Sequence, residues 1–296
     1  MTDLAHHRAP VAESAEAGDG FGAPAGGGIP GLVRPAVAEV RRRSRKVSLA
    51  LRVTVPLAIF GLWWLLTGTG AIAASDLSSP RTTWDAFTTL LHQDLIGDIG
   101  ISVERAVIGL AIGASLGLVL GITVGLFSLG EELIDSTMQM FRTIPFPAVI
   151  FLFIVWVGIG EVSKDLLIAL ATLFPMYLNT SNGVRNVDRK VVEAARSFGL
   201  RGRRLVRQVV IPLAMPSILT GLRFSTGVSV IALVFAETIN ANKGIGYVLS
   251  QASSFNQTPT IIVCVIIYAL FGICADLLVR TLEKRAMPWR RHLAVR

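Results

Sequence analysis

Six apolar runs, each bounded by polar or charged residues, punctuate this chain. The first covers about 53–73 and the second about 103–127, which carries no charge after Arg105. The third covers about 140–157, with Pro145 and Pro147 near its start. The fourth, about 166–178, is short and runs on into the polar Asn179-Thr180-Ser181-Asn182. The fifth and sixth cover about 216–235 and 260–278. Several of these runs approach the ~20 residues a helix needs to cross a hydrocarbon core of ~30 Å. Polar positions do not alternate within them, so they are expected to be helices rather than barrel strands, with every backbone group bonded inside its own segment. The pattern predicts an all-α polytopic membrane protein with six transmembrane helices.

Composition agrees. Hydrophobic residues make up 52% of the 296 and charged residues only 16%, against roughly 25% charged in a soluble domain, and the mean hydropathy is +0.61. The formal charge of +8 would suit nucleic acid, but its distribution excludes that partner, because the cations flank the apolar runs. With the N-terminus placed in the cytoplasm, the segments 34–52, 128–142, 184–208 and 280–296 put 22 Lys and Arg on that side, against only Arg81, Lys164 and Lys243 on the other. The positive-inside rule then puts both termini in the cytoplasm of a multi-pass plasma (inner) membrane protein.

Three regions follow. Residues 1–46 are rich in Ala, Gly, Pro and Glu until the closing Arg-Arg-Arg-Ser-Arg-Lys of 41–46, and are expected to form a disordered cytoplasmic tail with a basic end. Residues 47–285 hold the six helices, and 286–296 form a basic cytoplasmic C-terminal tail. The Ala71-Ile72-Ala73 stretch resembles a signal cleavage site, but the basic region precedes it only after some forty residues of tail, so an uncleaved first span is expected. Cys264 and Cys274 stand ten apart on one helix and cannot pair, which leaves them a packing role. His6, His7, His92 and His292 all lie outside the spans, which argues against a membrane haem or metal centre.

Within the second run Gly109, Gly113, Gly117, Gly121 and Gly125 recur every four residues. Four residues turn a helix through ~400°, so these positions form one bare groove against which a neighbouring helix can pack closely. Pro145, Pro147 and Pro175 are expected to interrupt helices at membrane depth, which is tolerated where backbone lines a cavity or a neighbour bonds it. Arg223 and Glu237 in the fifth run, and Glu104-Arg105 in the second, suit ion pairing or anchoring at the membrane interface. Ser225 and Ser229 share a face with each other and, with Arg223, mark a candidate substrate path; their hydroxyls would serve a neighbouring helix equally well. No span carries paired Asp, Ser with His, or Glu with His, as an intramembrane enzyme would need.

The stretch 188–212 differs from every other polar connection. Asp188 suits an N-cap, a helix is expected to Phe198, Gly199 suits the left-handed C′ position, and a second short helix begins near Gly202. Ala194 and Ala195 give the first helix a small-residue patch beside the aromatic knob of Phe198, and Arg201, Arg203, Arg204 and Arg207 follow. Such a helix is too polar for lipid, and its shaped apolar face fits a groove on a soluble partner or rests on anionic membrane lipid.

Glu193-Ala194-Ala195, three residues, Gly199, nine residues and then Val209-x-Ile211-Pro212 resembles the "EAA" loop of ABC importer membrane permeases. The family favours Ile and Leu where Val209 and Ile211 stand here. Over roughly 75–290 the chain resembles the nitrate/sulfonate/taurine branch, and within it the aliphatic sulfonate permeases. The resemblance implies a type I ABC importer permease fold and makes residues of about 188–204 a coupling helix, with Glu193, Ala194, Ala195, Phe198, Gly199 and Pro212 at the ATPase joint. It implies as partners a cytoplasmic ABC ATPase subunit, a second permease subunit (a homodimer is expected) and an extracytoplasmic substrate-binding protein. No G-x-x-x-x-G-K-[ST] phosphate loop occurs in the chain, so ATP and Mg are expected to be used by the partner ATPase, and this chain is expected to bind no cofactor and to be a transporter subunit rather than an enzyme. An independent secondary transporter is the alternative from another class.

Overall fold

The computed structural model describes residues 45–73, 75–127 and 130–287. The expectations for the tail up to residue 44 and for residues 288–296 lie outside the described residues. The chain divides after Thr54 into two compact units. The first contributes only residues 45–54 to the described part, and the second, from Val55 onward, holds the helical bundle.

Among the described residues the regular structure is entirely helical. Helix α1 (Arg45–Gly68) is followed by α2 (Pro80–His92) and the long α3 (Leu95–Leu126). A π-helical turn, Glu131–Asp135, continues into α4 (Ser136–Arg142), and α5 (Phe146–Val157) precedes α6 (Glu161–Arg185). Helix α7 (Arg189–Ser197) and the single turn α8 (Gly202–Leu205) then lead through a π-helical turn, Val206–Val210, into α9 (Ile211–Asn240). Helices α10 (Ile245–Ser254) and α11 (Thr258–Ala286) complete the order.

All six apolar runs lie mainly in these helices, but among the described residues only three helices are long and apolar enough to cross a membrane: Leu95–Leu126, the continuous Gly202–Ile239 and Thr258–Ala286. A fourth is added if the bent pair Leu133–Arg142 and Phe146–Val157 is one span. Two runs fall short for different reasons. The apolar part of α1, Thr54–Gly68, is short. Helix α6 is long but polar, because it packs between α3 and α9 and meets protein on both sides. Thr172, Thr180 and Ser181 are buried in it, and a helix screened from lipid by its neighbours need not be apolar all round.

The contact between α3 and α6 runs along the five glycines. A Cβ built at Gly109 would stand 2.5 Å from Cβ of Ile168, at Gly121 2.6 Å from Cβ of Thr180, and at Gly125 2.7 Å from Cβ of Val184. At Gly113 it would overlap the Ala169 carbonyl and the Thr172 hydroxyl. The backbones approach more closely than any side chain would permit, gaining the dispersion contact that drives helix association in lipid. On the opposite side of α6, Gly221 of α9 lies over Asn179, where a Cβ would be 2.8 Å from the Asn179 Cβ.

The prolines behave unequally. The third run is not one straight helix: it breaks at Thr143–Pro145 and turns through 99°. Pro145 caps α5 in extended conformation, and Pro147 sits in its first turn, where a missing N–H costs nothing. Pro175 corrects the expectation of a third interruption. It lies inside an unbroken α6, held helical by α3 and α9.

Candidate docking site

Helix α7 is set by its two ends. At its start the Asp188 carboxylate accepts from the Lys190 N–H at 2.9 Å, filling one of the orphan donors of the first turn. At its end Phe198 is the last half-helical residue and Gly199 takes φ +85°. The Gly199 N–H then donates to the Arg196 carbonyl at 2.9 Å and the Leu200 N–H to the Ala195 carbonyl at 3.1 Å. These two bonds form a Schellman motif, which depends on the left-handed residue between them. Nothing lies within 4 Å of a Cβ built at Gly199, so the backbone angle alone selects glycine there.

No residue of α7 is buried. Val191, Ala194, Ala195 and Phe198 fall at i, i+3, i+4 and i+7, one stripe of the helix, and Phe198 is 88% exposed. Glu193 is also exposed, at the edge of this stripe. An amphipathic helix whose apolar stripe faces outward has a surface left for a partner. The loop is nevertheless firmly rooted. Leu205 and Val210 are buried, and Val187 packs on the cluster of Ala114, Met176, Val184 and Ala214. Pro212 stands in the first turn of α9, directly after the π-helical turn, and is half-buried.

The charges near the other end of α3 form a buried hub. Glu237 of α9 is fully buried and accepts from Arg105 Nη1 at 2.7 Å, from the Ser102 hydroxyl at 2.8 Å, from the Gly246 N–H at 2.8 Å and from the Tyr268 hydroxyl at 3.3 Å. Arg105 also donates to the Lys243 carbonyl at 2.8 Å and grips Glu161 through Nε and Nη2, while Lys164 reaches Glu161 at 2.7 Å. A buried charge pair is tolerable only when its remaining donors and acceptors are satisfied, and here both Glu237 oxygens are. Gly244 and Gly246 make this possible. A Cβ at Gly244 would stand 2.5 Å from Oε1 of Glu237, and one at Gly246 would collide with the Glu237 Cβ. The hub thereby joins α3, α6, α9, α10 and α11. Sequence reasoning named Arg105 and Glu237 as ion-pair candidates but did not join them; the Gly-Ile-Gly seven residues after Glu237 is the signal for a backbone that closes over a carboxylate.

The candidate path residues each have a partner within the bundle. Ser225 is buried and donates to the Thr172 carbonyl of α6 at 2.8 Å. Ser229 is buried and donates to the Thr226 carbonyl of its own helix at 2.7 Å. Arg223 pairs with Asp276 of α11 at 2.7 Å, and Asp276 also holds Arg280 at 2.6 Å. Of the two cysteines, both free, Cys264 is buried and Cys274 exposed.

Comparison with known proteins gives a consistent result. Residues 106–288 match the model of a family described as binding-protein-dependent transport system inner membrane component. The aliphatic sulfonates transport permease protein SsuC of Escherichia coli (strain K12) is 45% identical over 236 residues, covering 79% of this chain and 90% of its own length. The taurine transport system permease protein TauC of the same organism is 30% identical over 252 residues, covering 83% and 91%. Among solved structures, an amino acid ABC transporter crystallised with histidines shares the fold, with a TM-score of 0.56, 19% identity and coverage of 67% of this chain and 97% of that one.

Proposed function

The chain belongs to the family of binding-protein-dependent transport system inner membrane components, and from that premise we propose that it carries an aliphatic sulfonate inward across the plasma membrane, driven by a separate cytoplasmic ATPase docked on α7. One observation carries the docking reading: the outward apolar stripe of Val191, Ala194, Ala195 and Phe198 on a helix capped at both ends. Glu193 and the arginines after Gly199 frame that stripe with charge, as suits a groove on a soluble protein. The sulfonate rests on the likeness to a permease named for that substrate class.

Two copies, each docked on one ATPase, form the pore. The partner ATPase binds ATP and Mg, and its closure draws the two α7 helices together. Leu205 and Val210 pass this motion into α9, and the helices rearrange by alternating access. An extracytoplasmic binding protein delivers the substrate to the face that carries Lys164 and Lys243. Both termini lie in the cytoplasm, and the six-helix domain occupies 47–285.

Two measurements test this. Uptake of a labelled alkanesulfonate is compared in cells lacking the gene and in cells with it restored, with taurine and nitrate as competitors. Restored uptake that nitrate does not compete is the expected result; rescue of nitrate uptake alone would remove the sulfonate assignment. In the second, Glu193→Lys is expected to weaken co-purification of the ATPase. Unchanged recovery would assign α7 to the lipid surface instead.

A further inference from the structure

The 99° break between α4 and α5 borders a cavity of about 470 Å³ that neither the docking helix nor the hub uses. Its walls include Phe146, Leu152 and Trp156 of α5, Phe174 of α6 and Val228 of α9. Every described side chain lining it is apolar except one, Arg142. The volume falls in the range of small-molecule sites, which pair apolar walls with few polar anchors.

The cavity lies at membrane depth. It touches α6 at Leu170–Pro175, midway along Glu161–Arg185, and α9 at Val228, just beyond its midpoint. Helix α5 has 12 residues, about 18 Å at 1.5 Å per residue, so it crosses little more than half of a ~30 Å core. Phe146, its first residue, lies against that middle part of α6, so Arg142, in the last turn of α4 just before it, stands deeper than the cytoplasmic flank on which the charge count placed it. Broken helices at mid-depth are where carriers place their substrates.

Arg142 differs from Arg105 and Arg223, which are held by carboxylates. Arg142 is exposed, and among the described residues no side chain pairs with it. An arginine at this depth without a carboxylate is costly, and an anion from outside the chain would offset that cost. We propose that the cavity is a membrane-depth subsite for an alkanesulfonate, with the Arg142 guanidinium donating to the sulfonate oxygens and the aromatic wall taking the alkyl chain. This rests on the sulfonate reading above.

The test uses the full permease with its ATPase and binding protein in proteoliposomes, and follows uptake of methanesulfonate and octanesulfonate. Arg142→Gln is expected to lower uptake of both by about tenfold, the scale of one charge-assisted hydrogen bond, with ATPase recovery unchanged. Arg142→Lys keeps the charge and is expected to restore part of that loss. Leu152→Trp narrows the cavity from a half-exposed position and is expected to depress octanesulfonate uptake while sparing methanesulfonate. Wild-type uptake by Arg142→Gln, or equal loss of both substrates in Leu152→Trp, overturns the subsite and leaves the permease reading standing. Dissociation of the permease pair by Leu152→Trp would give the cavity to a second copy of this chain and also overturn it. No sulfonate uptake by the wild type would overturn the subsite and the sulfonate reading together.

Discussion

Replacing Gly199 with valine isolates the contribution of one backbone angle. The residue sits at φ +85° with nothing within 4 Å of a would-be Cβ, so the substitution introduces no clash with its surroundings and only conformational strain. An L-residue in the left-handed region costs about 1–2 kcal/mol, and a β-branched side chain adds to that. Helix α7 buries no residue, and a free nine-residue helix is marginal in water, so its two caps carry most of its stability. A loss of about 1–2 kcal/mol at one cap lowers the population of the capped loop by about five- to thirtyfold. Hydrogen exchange reads this directly at Leu200, whose N–H is bonded to the Ala195 carbonyl only through the Schellman turn. Its exchange should accelerate by that factor, and uptake should fall while membrane insertion persists. Gly199→Asn, which tolerates the left-handed region, should remain close to wild type, with Gly199→Ala between the two. Wild-type exchange and uptake in the valine variant would refute the reasoning. Equal damage from asparagine and valine would show that the presence of a side chain, rather than φ, is what the loop rejects.

Other outcomes follow from the same structure. Glu237→Ala leaves Arg105 buried without its partner and should destabilise the solubilised protein by about 3–5 kcal/mol, while Arg105→Ala/Glu237→Ala should cost less than the two single changes summed; thermal melting in detergent measures both. Gly113→Leu should collapse the folded yield on size exclusion, because its side chain would enter the Ala169–Thr172 backbone. Gly100→Ala on the same helix meets open space and should be neutral or stabilising by about 0.5–1 kcal/mol. Arg223→Ala removes a partly exposed ion pair and should change stability by no more than about 1 kcal/mol with uptake retained; lost uptake in a stable protein would put Arg223 on the substrate path.

Much of this could be read from the sequence, and the remainder depended on long-range contacts. Runs of apolar residues located the helices because lipid imposes the same requirement on every segment that faces it. Helix α6 escaped that rule once α3 and α9 covered it, and its polar composition is one that hydropathy alone reads as a weak span. The caps of α7 were legible because Asp188 and Gly199 act within a few residues of themselves. The hub was not, since Ser102, Glu161, Glu237 and Gly246 meet only after the chain has crossed the bundle several times. Pro145 and Pro175 look alike in sequence, yet one sits in a break and caps the start of the next helix while the other is carried through a helix by the packing of its neighbours. Arg142 gave no local signal, because what separates it from Arg105 and Arg223 is that no carboxylate among the described residues reaches it from a distant helix.

The helix that begins at Gly202 runs without interruption to Ile239, about 57 Å at 1.5 Å per residue. One end is rooted beside α7 and the other holds Glu237 in the hub. Its bending points, the π-helical turn Val206–Val210 and Pro216, both stand near the α7 end. From Pro216 to Glu237 no proline or turn breaks the helix, so a tilt of that stretch at one membrane face carries through to the other. The clamp at its far end ties the Lys243 carbonyl, through Arg105, and the Gly246 N–H directly to Glu237 of the same helix. Continuity of one helix, and not only binding at either end, therefore links the two faces of this permease.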